Sequence, residues 1–257
     1  MIQLPTSYAE EFKPFTIPSH IKKAGILNDI HIPYHNYEAN QIAIEFLIKE
    51  DVDAIILNGD ILDFYGLSRF EKDPRKRSVK DELDGAKEYL DALQKHVPKA
   101  KIFWKNGNHD ERLIKYLMSK APELLGIRDF ELDVLLGLAE RGIDYITDKR
   151  KIMLGGLSVF HGHEIGIKSA AVSPARSLYL KAKVSAIMGH LHVPSAHSAV
   201  RADQHIVGCW STGHLGEPHP QYAPFNEWIN GFAIVDVDGK EFEVSNYKII
   251  KGKVYRT

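Results

Sequence analysis

The sequence predicts an α/β fold in which two sheets face each other with helices outside, on three observations. The first hundred residues alternate short apolar runs with longer amphipathic segments, which is the pattern of parallel βαβ units. The second half instead carries hairpin signals, at Gly155-Gly156 and Asp238-Gly239. Composition is that of one globular core, with 257 residues, 44% apolar and 26% charged, and no repeat or long linker divides the chain. Residues 1–257 therefore read as a single domain.

Met1–His20 holds three prolines and little periodicity, and reads as an irregular lead-in. Ala24–Leu27 is an apolar run ending at Asn28 and Asp29, as a buried strand would. Ile42, Ile44, Phe46, Leu47 and Ile48, set among Glu and Gln, suit a helix packed on a sheet. Ala54–Leu57 is a second buried strand, closed by Asn58-Gly59-Asp60. The charged stretch Arg69–Arg77 leads to a helix over Ser78–His96, and Lys101–Trp104 makes a third strand with a turn at Gly107. Further on, Lys151–Leu154 and Leu157–Phe160 flank Gly155-Gly156 as a hairpin. Ser173 before Pro174 is an N-cap followed by proline at the first helical position, starting a helix through Lys183. Val184–Met188 is another strand, and Asp238-Gly239 turns a hairpin between Phe232–Val237 and Phe242–Val244.

Charge narrows the function. Lysine and arginine total 33 against 34 acidic residues, a net charge of -1, which argues against a protein whose main task is neutralising duplex phosphates. No stretch approaches the ~18 apolar residues of a membrane span. Pro5, Glu10, Glu11 and Pro14 stand where a secretory signal needs its apolar centre. The expectation is a soluble, cytoplasmic protein with no membrane partner. Thirteen histidines accompany one cysteine, Cys209, so any metal must be held by nitrogen and oxygen.

Five clusters sit at the ends of expected strands: Asp29-Ile30-His31, Gly59-Asp60-Ile61-Leu62-Asp63, Gly107-Asn108-His109-Asp110, His161-Gly162-His163 and Gly189-His190-Leu191-His192. Any one is ordinary, since aspartates serve turns and single histidines fill cores. Their conjunction is not, because ligands in open α/β sheets bind outside the carboxyl ends of the strands. A histidine-rich set with two aspartates and one asparagine is a mixed nitrogen/oxygen site, suited to manganese, iron or zinc rather than calcium. Seven side chains are too many for one catalytic ion and enough for two if a carboxylate bridges. Paired ions clamp the attacking and leaving oxygens of an in-line displacement and acidify a bridging water, which points to a binuclear hydrolase.

The order and spacing of these clusters resemble the calcineurin-like metallophosphoesterase superfamily, over residues 29 to 192. The resemblance implies a four-layer α/β/β/α sandwich of two mixed sheets flanked by helices. It implies that Asp29, His31 and His192 bind one ion, that Asn108, His161 and His190 bind the other, and that Asp60 bridges. It makes His109 the general acid for the leaving oxygen and Asp63 its orienting carboxylate. The choice of His161 over His163 rests on this likeness alone. Manganese is the first expectation for both ions, with iron, zinc, nickel or cobalt as alternatives. The expected partner is a phosphomonoester or phosphodiester, with a nucleotide or nucleic acid included. A nuclease of the same superfamily and a non-catalytic metal-bound scaffold are the competing functions.

The remaining chemistry is open. A histidine beside two cations tends to lose its proton, so a carboxylate such as Asp63 or Asp110 is needed to keep His109 protonated. His163 is expected to support the ligands or touch substrate. Arg176, in the first turn of the helix after Pro174, could grip a phosphate, although solvent exposure serves it equally well. The basic residues of Arg69–Arg77 read as a solvated helix approach more readily than as a phosphate-attracting lip. The aromatics of the 216–228 loop are expected to close the core more readily than to stack a base or wall a pocket. His214, near another strand end and able to reach the site mouth, receives no assigned chemistry.

Overall fold

The computed structural model describes residues 4–9, 11–69, 73, 78–167, 172–220 and 223–257. Lys72, Arg75, Lys76 and Arg77 of the basic segment, and Tyr222 of the proline-rich loop, lie outside those residues.

A two-residue strand, β1 (Phe15–Thr16), opens the described secondary structure. It is followed by β2 (Lys23–Leu27), α1 (Tyr37–Lys49), β3 (Ala54–Asn58), α2 (Val79–His96) and β4 (Lys101–Lys105). The strands β2, β3 and β4 pair in parallel, as the alternation predicts. Side-chain period assigns their two faces. Ala24, Ile26, Ala54, Ile56 and Phe103 point to the layer between the sheets, while Leu27, Ile55, Leu57, Ile102 and Trp104 point to the layer under α1 and α2. Both faces are buried, so the strands read as continuous apolar runs. At Gly25 a Cβ would lie 2.3 Å from Leu47 Cδ2, so glycine is what lets α1 lie this close to β2.

The helices start where their caps allow. Asn36 Oδ1 accepts from the Ala39 amide at 2.9 Å, and Ser78 with Asp81 forms a capping box. After α3 (Arg112–Lys120) and α4 (Leu132–Leu136), β5 (Asp144–Ile146) completes the parallel run beside β4. The hairpin β6 (Ile152–Leu154) and β7 (Leu157–Phe160) begins the second sheet. Next come α5 (Pro174–Ala182), β8 (Ala186–Met188), β9 (Ser195–Val200) and β10 (Ile206–Ser211). Finally β11 (Asn230–Asp238), β12 (Glu241–Ile250) and β13 (Lys253–Arg256) return to the first sheet.

The sheets are mixed. One has seven strands in the order β13-β12-β11-β2-β3-β4-β5, the other six in the order β1-β6-β7-β8-β10-β9. Helices α1 and α2 cover the first, and α5 covers the second through Leu178 against Met188 and Cys209. The architecture is helix, sheet, sheet, helix.

Two expectations change. The lead-in is not wholly irregular, because β1 pairs in parallel with β6, Phe15 packs edge-on to Phe103 at 5.8 Å and Arg150 lies over its ring. A two-residue strand has no period to read. The last hairpin is longer than expected, since β12 continues past Val244 to place Tyr247 against Phe46 and Phe232 at 4.8 and 5.3 Å.

Candidate metal centre

The five clusters lie where β2, β3, β4, β7 and β8 end, and their loops are bonded into one floor. The Asp29 and His31 amides donate to the carbonyls of Gly59 and Asp60, and the Asp63 amide to Ile32. Asp29, His31, Asp60, His190 and His192 all have φ between 53° and 68°. That left-handed conformation costs about 1–3 kcal/mol per residue and persists only where surroundings hold it. Here it turns the chain at the ends of three strands, β2, β3 and β8. At Gly107 a Cβ would lie 2.2 Å from Asp60 Oδ1, so glycine alone lets the third loop reach the second.

Two donor sets result. Asp29, His31 and His192 offer ligand atoms within 4.8 Å of one another, as do Asp60, His161 and His190. In the first, His192 Nε2 lies 3.2 Å from Asp29 Oδ1 and 3.4 Å from His31 Nε2. In the second, His161 Nε2 lies 3.4 Å from Asp60 Oδ2 and 3.3 Å from Asn108 Oδ1. The first set closes without Asp60. Second contacts fix the tautomers. His161 Nδ1 faces the Asn58 carbonyl at 2.9 Å and His31 Nδ1 faces Asp63 Oδ1 at 3.1 Å. Each Nδ1 is thereby the donor, leaving Nε2 with its lone pair toward the cluster. Asp29 Oδ2 is occupied by Asn28 Nδ2 at 2.5 Å and the His190 amide at 2.8 Å, so Oδ1 is the face it presents.

The electrostatics fit a cation. Burial alone would raise Asp29 and Asp60, but the imidazoles of His192 and His161 outweigh it and hold both below the usual carboxylate range. Burial alone would lower His161, yet Asp60 and Asp29 push it up to about 10. Burial and the neighbouring His161 push His190 down to about 4. Asp60 and Asp29 thus make the surroundings of His161 favourable to positive charge, which suits a divalent ion.

His109 stands beside both sets. Its Nδ1 is 3.1 Å from Asp63 Oδ1 and 3.0 Å from the Asp63 carbonyl, and its Nε2 is 3.9 Å from Asp60 Oδ2. His31, Asp63 and His109 also group within 4.8 Å. At 3.1 Å from both Nδ1 atoms, however, the Asp63 oxygen is engaged as a hydrogen-bond acceptor. Burial would raise Asp63, but hydrogen bonds from His109 and His31 hold it well below its ordinary range. Burial would lower His109, and Asp60 with Asp63 reverses this and raises it.

Asp110 serves otherwise than as a partner of His109. Its carboxylate accepts from the amides of Asp60 and Gly107 at 2.8 Å and of Leu62 at 3.1 Å, binding two loops together. Burial, then the Asp60 charge, pushes Asp110 up to about 6. His163 pairs with Glu111 at 3.1 Å, with its ring 5.3 Å from that of His161, and enters neither donor set. Arg176 is exposed in the first turn of α5, where its amide meets the Ser173 cap.

Four further side chains border the centre; sequence reasoning pointed to neither Arg112 nor Lys105 and left the places of His214 and Trp228 open. The Arg112 guanidinium donates to the Asp63 carbonyl at 2.8 Å and approaches His109 Nε2 at 3.1 Å. His214 stacks on His192 at 4.5 Å and 6°, and neither of its ring nitrogens has a hydrogen-bond partner among the described residues. Trp228 meets the His192 ring at 4.5 Å while Phe225 is 98% exposed, so this loop forms a wall of the centre instead of closing the core. The Ile229 amide, bonded to the His192 carbonyl at 3.0 Å, places it there.

The fourth is Lys105, 1% exposed at the end of β4. Its ammonium donates to the Arg150 carbonyl at 2.8 Å and lies 3.1 Å from Glu164 Oε1. Glu164 in turn accepts from the His161 and Gly162 amides at 2.8 and 2.7 Å. Lys105→Met is expected to destabilise the fold by ~3–5 kcal/mol, because it strands a buried carboxylate. Adding Glu164→Gln should recover part of that loss. Equal melting temperatures for wild type and the single variant would show that the pair does not matter.

The fold and this centre define a metallophosphoesterase-type protein. The family description for calcineurin-like phosphoesterase matches residues 22–208, and the chain belongs to that family. Over 245 residues it is 24% identical to the Gene 54 protein of Mycobacterium phage L5, covering 90% of this chain and 95% of that one. The Gene 54 protein of Mycobacterium phage D29 is also 24% identical, over 244 residues. Similar solved structures include Vps29 from Entamoeba histolytica complexed with zinc, at 10% identity and TM-score 0.48, covering 91% of this chain and 97% of that one. The phosphoesterase YfcE from E. coli is similar at 15% identity and TM-score 0.44, covering 91% and 98%. Among the described residues, no helix is long and apolar enough to cross a membrane.

Proposed function

We propose that this protein hydrolyses a phosphomonoester or phosphodiester with two divalent ions, manganese in the first instance. The observation that carries this reading is a pair of donor sets, each within 4.8 Å, with His109 and Asp63 hydrogen-bonded beside them. Asp29, His31 and His192 would hold one ion, and Asn108, His161 and His190 the other, with Asp60 between them. Bound ions neutralise phosphoryl charge and acidify water.

The chain's own groups handle the leaving oxygen. His109 delivers the proton from Nε2, because its Nδ1 is engaged by the carboxylate and carbonyl of Asp63 at 3.1 and 3.0 Å. Asp63, ionised, stabilises the imidazolium. Once Nε2 has given up its proton it can accept from Arg112 at 3.1 Å, which keeps the ring in place for the next turnover.

Chelator treatment followed by dialysis should abolish hydrolysis of bis-(p-nitrophenyl) phosphate, and added manganese should restore it. A chelated protein of undiminished activity, or a manganese-loaded one with none, would refute the proposal.

A further inference from the structure

A pocket of about 680 Å³ opens beside Asn108 and Arg112, and the Arg112 guanidinium that lines it is 3.1 Å from His109 Nε2. Among the described residues, four cations, Arg69, Arg112, Lys115 and Lys120, line it together with Tyr116, and no carboxylate does. Lys115 is already paired with Glu111, which lies outside the lining. Lys115, Tyr116 and Lys120 are exposed. They follow Arg112 along α3 at offsets of three, four and eight residues, which is one helical face. At the helical rise this face runs about 12 Å, longer than a single phosphate and comparable to several nucleotides of a stacked strand at about 3.4 Å each.

A neutral alcohol leaving group would have no use for such a lining. We propose that the leaving group is itself a polyanion, the continuing single strand of an oligonucleotide, which tracks α3 with its phosphates on Lys115 and Lys120 and a base on Tyr116. A basic groove with an interposed aromatic ring is the general means of holding single strands. This rests on the phosphoesterase reading above. Water adds to phosphorus, the P–O bond to the strand on α3 breaks, and His109 protonates that oxygen. One product ends in a phosphate and the other in a hydroxyl.

Binding is measured on metal-stripped protein by fluorescence anisotropy of a labelled single-stranded oligodeoxynucleotide across a salt series. Lys120→Ala should reduce the slope of log affinity against log salt by about 0.7. Tyr116→Ala should weaken binding about fivefold or more. Both variants, when manganese-loaded, should keep wild-type kcat/KM on bis-(p-nitrophenyl) phosphate. The inference is overturned if both variants bind like wild type, if a duplex of the same sequence binds more tightly, or if thymidine 3′,5′-bisphosphate competes as well as the strand does. Loss of bis-(p-nitrophenyl) phosphate hydrolysis by the wild-type protein would instead overturn the phosphoesterase reading, leaving the binding result to stand alone.

Discussion

Asp60→Ala is expected to leave at most one tightly held divalent ion per chain and to lower turnover by about 10³-fold, or ~4 kcal/mol of charge stabilisation. The two oxygens of Asp60 do different things. Oδ1 accepts the His109 amide at 2.8 Å and Oδ2 faces His161 Nε2 at 3.4 Å. Alanine removes both, so a companion Asp60→Asn is needed, because its amide oxygen can still accept from His109 while the ligand charge is gone. Both variants should lose metal by elemental analysis, and Asp60→Asn should melt closer to wild type. Two ions retained in either protein would refute the bridging role. Loss from Asp60→Ala alone would trace to the disturbed third loop.

Substitution of His109 tests the proton. His109→Ala should keep both ions and lower kcat by about 10²–10⁴ on an alkyl phosphoester, whose alkoxide leaves poorly without an acid. On a nitrophenyl ester the loss should be much smaller, because that leaving group departs as a stable anion. The contrast separates acid catalysis from general damage, which would reduce both rates alike. It also bears on Arg112, whose guanidinium would keep its bond to the Asp63 carbonyl but lose His109 Nε2. A His109→Ala protein with equal losses on the two substrates would remove the imidazole from the proposed mechanism.

The clusters around Asp29, Asp60, Asn108, His161 and His190 were legible because the residue types are unusual at strand ends, and all but the first have a glycine beside them. The strands β2, β3 and β4 were legible for a related reason, since burial on both faces leaves only apolar side chains between the turns. Lys105 was not. A lysine closing an apolar run reads as a solvated end, and its partner Glu164 arrives from the other sheet. His214 and Trp228 were obscured likewise, because their place against His192 is set by the path of a loop, which no periodicity records. Asp110 adjoins His109 in sequence yet bonds the backbone of Asp60 and Leu62, so proximity along the chain misjudged its partner.

By itself the sequence determined the kind of chemistry available. Thirteen histidines and one cysteine leave imidazole and oxygen donors, and the alternation of strands and helices sends those donors to one end of the sheets. Only the tertiary structure decided how they group. Asp29 and His31, from the seven-stranded sheet, meet His192 from the six-stranded one, and His161, also from the six-stranded sheet, reaches Asp60 of the seven-stranded one. A donor set is a matter of a few ångströms between loops far apart in the chain. Those distances are fixed by how the two sheets pack and by left-handed turns at the strand ends, which no local spacing encodes.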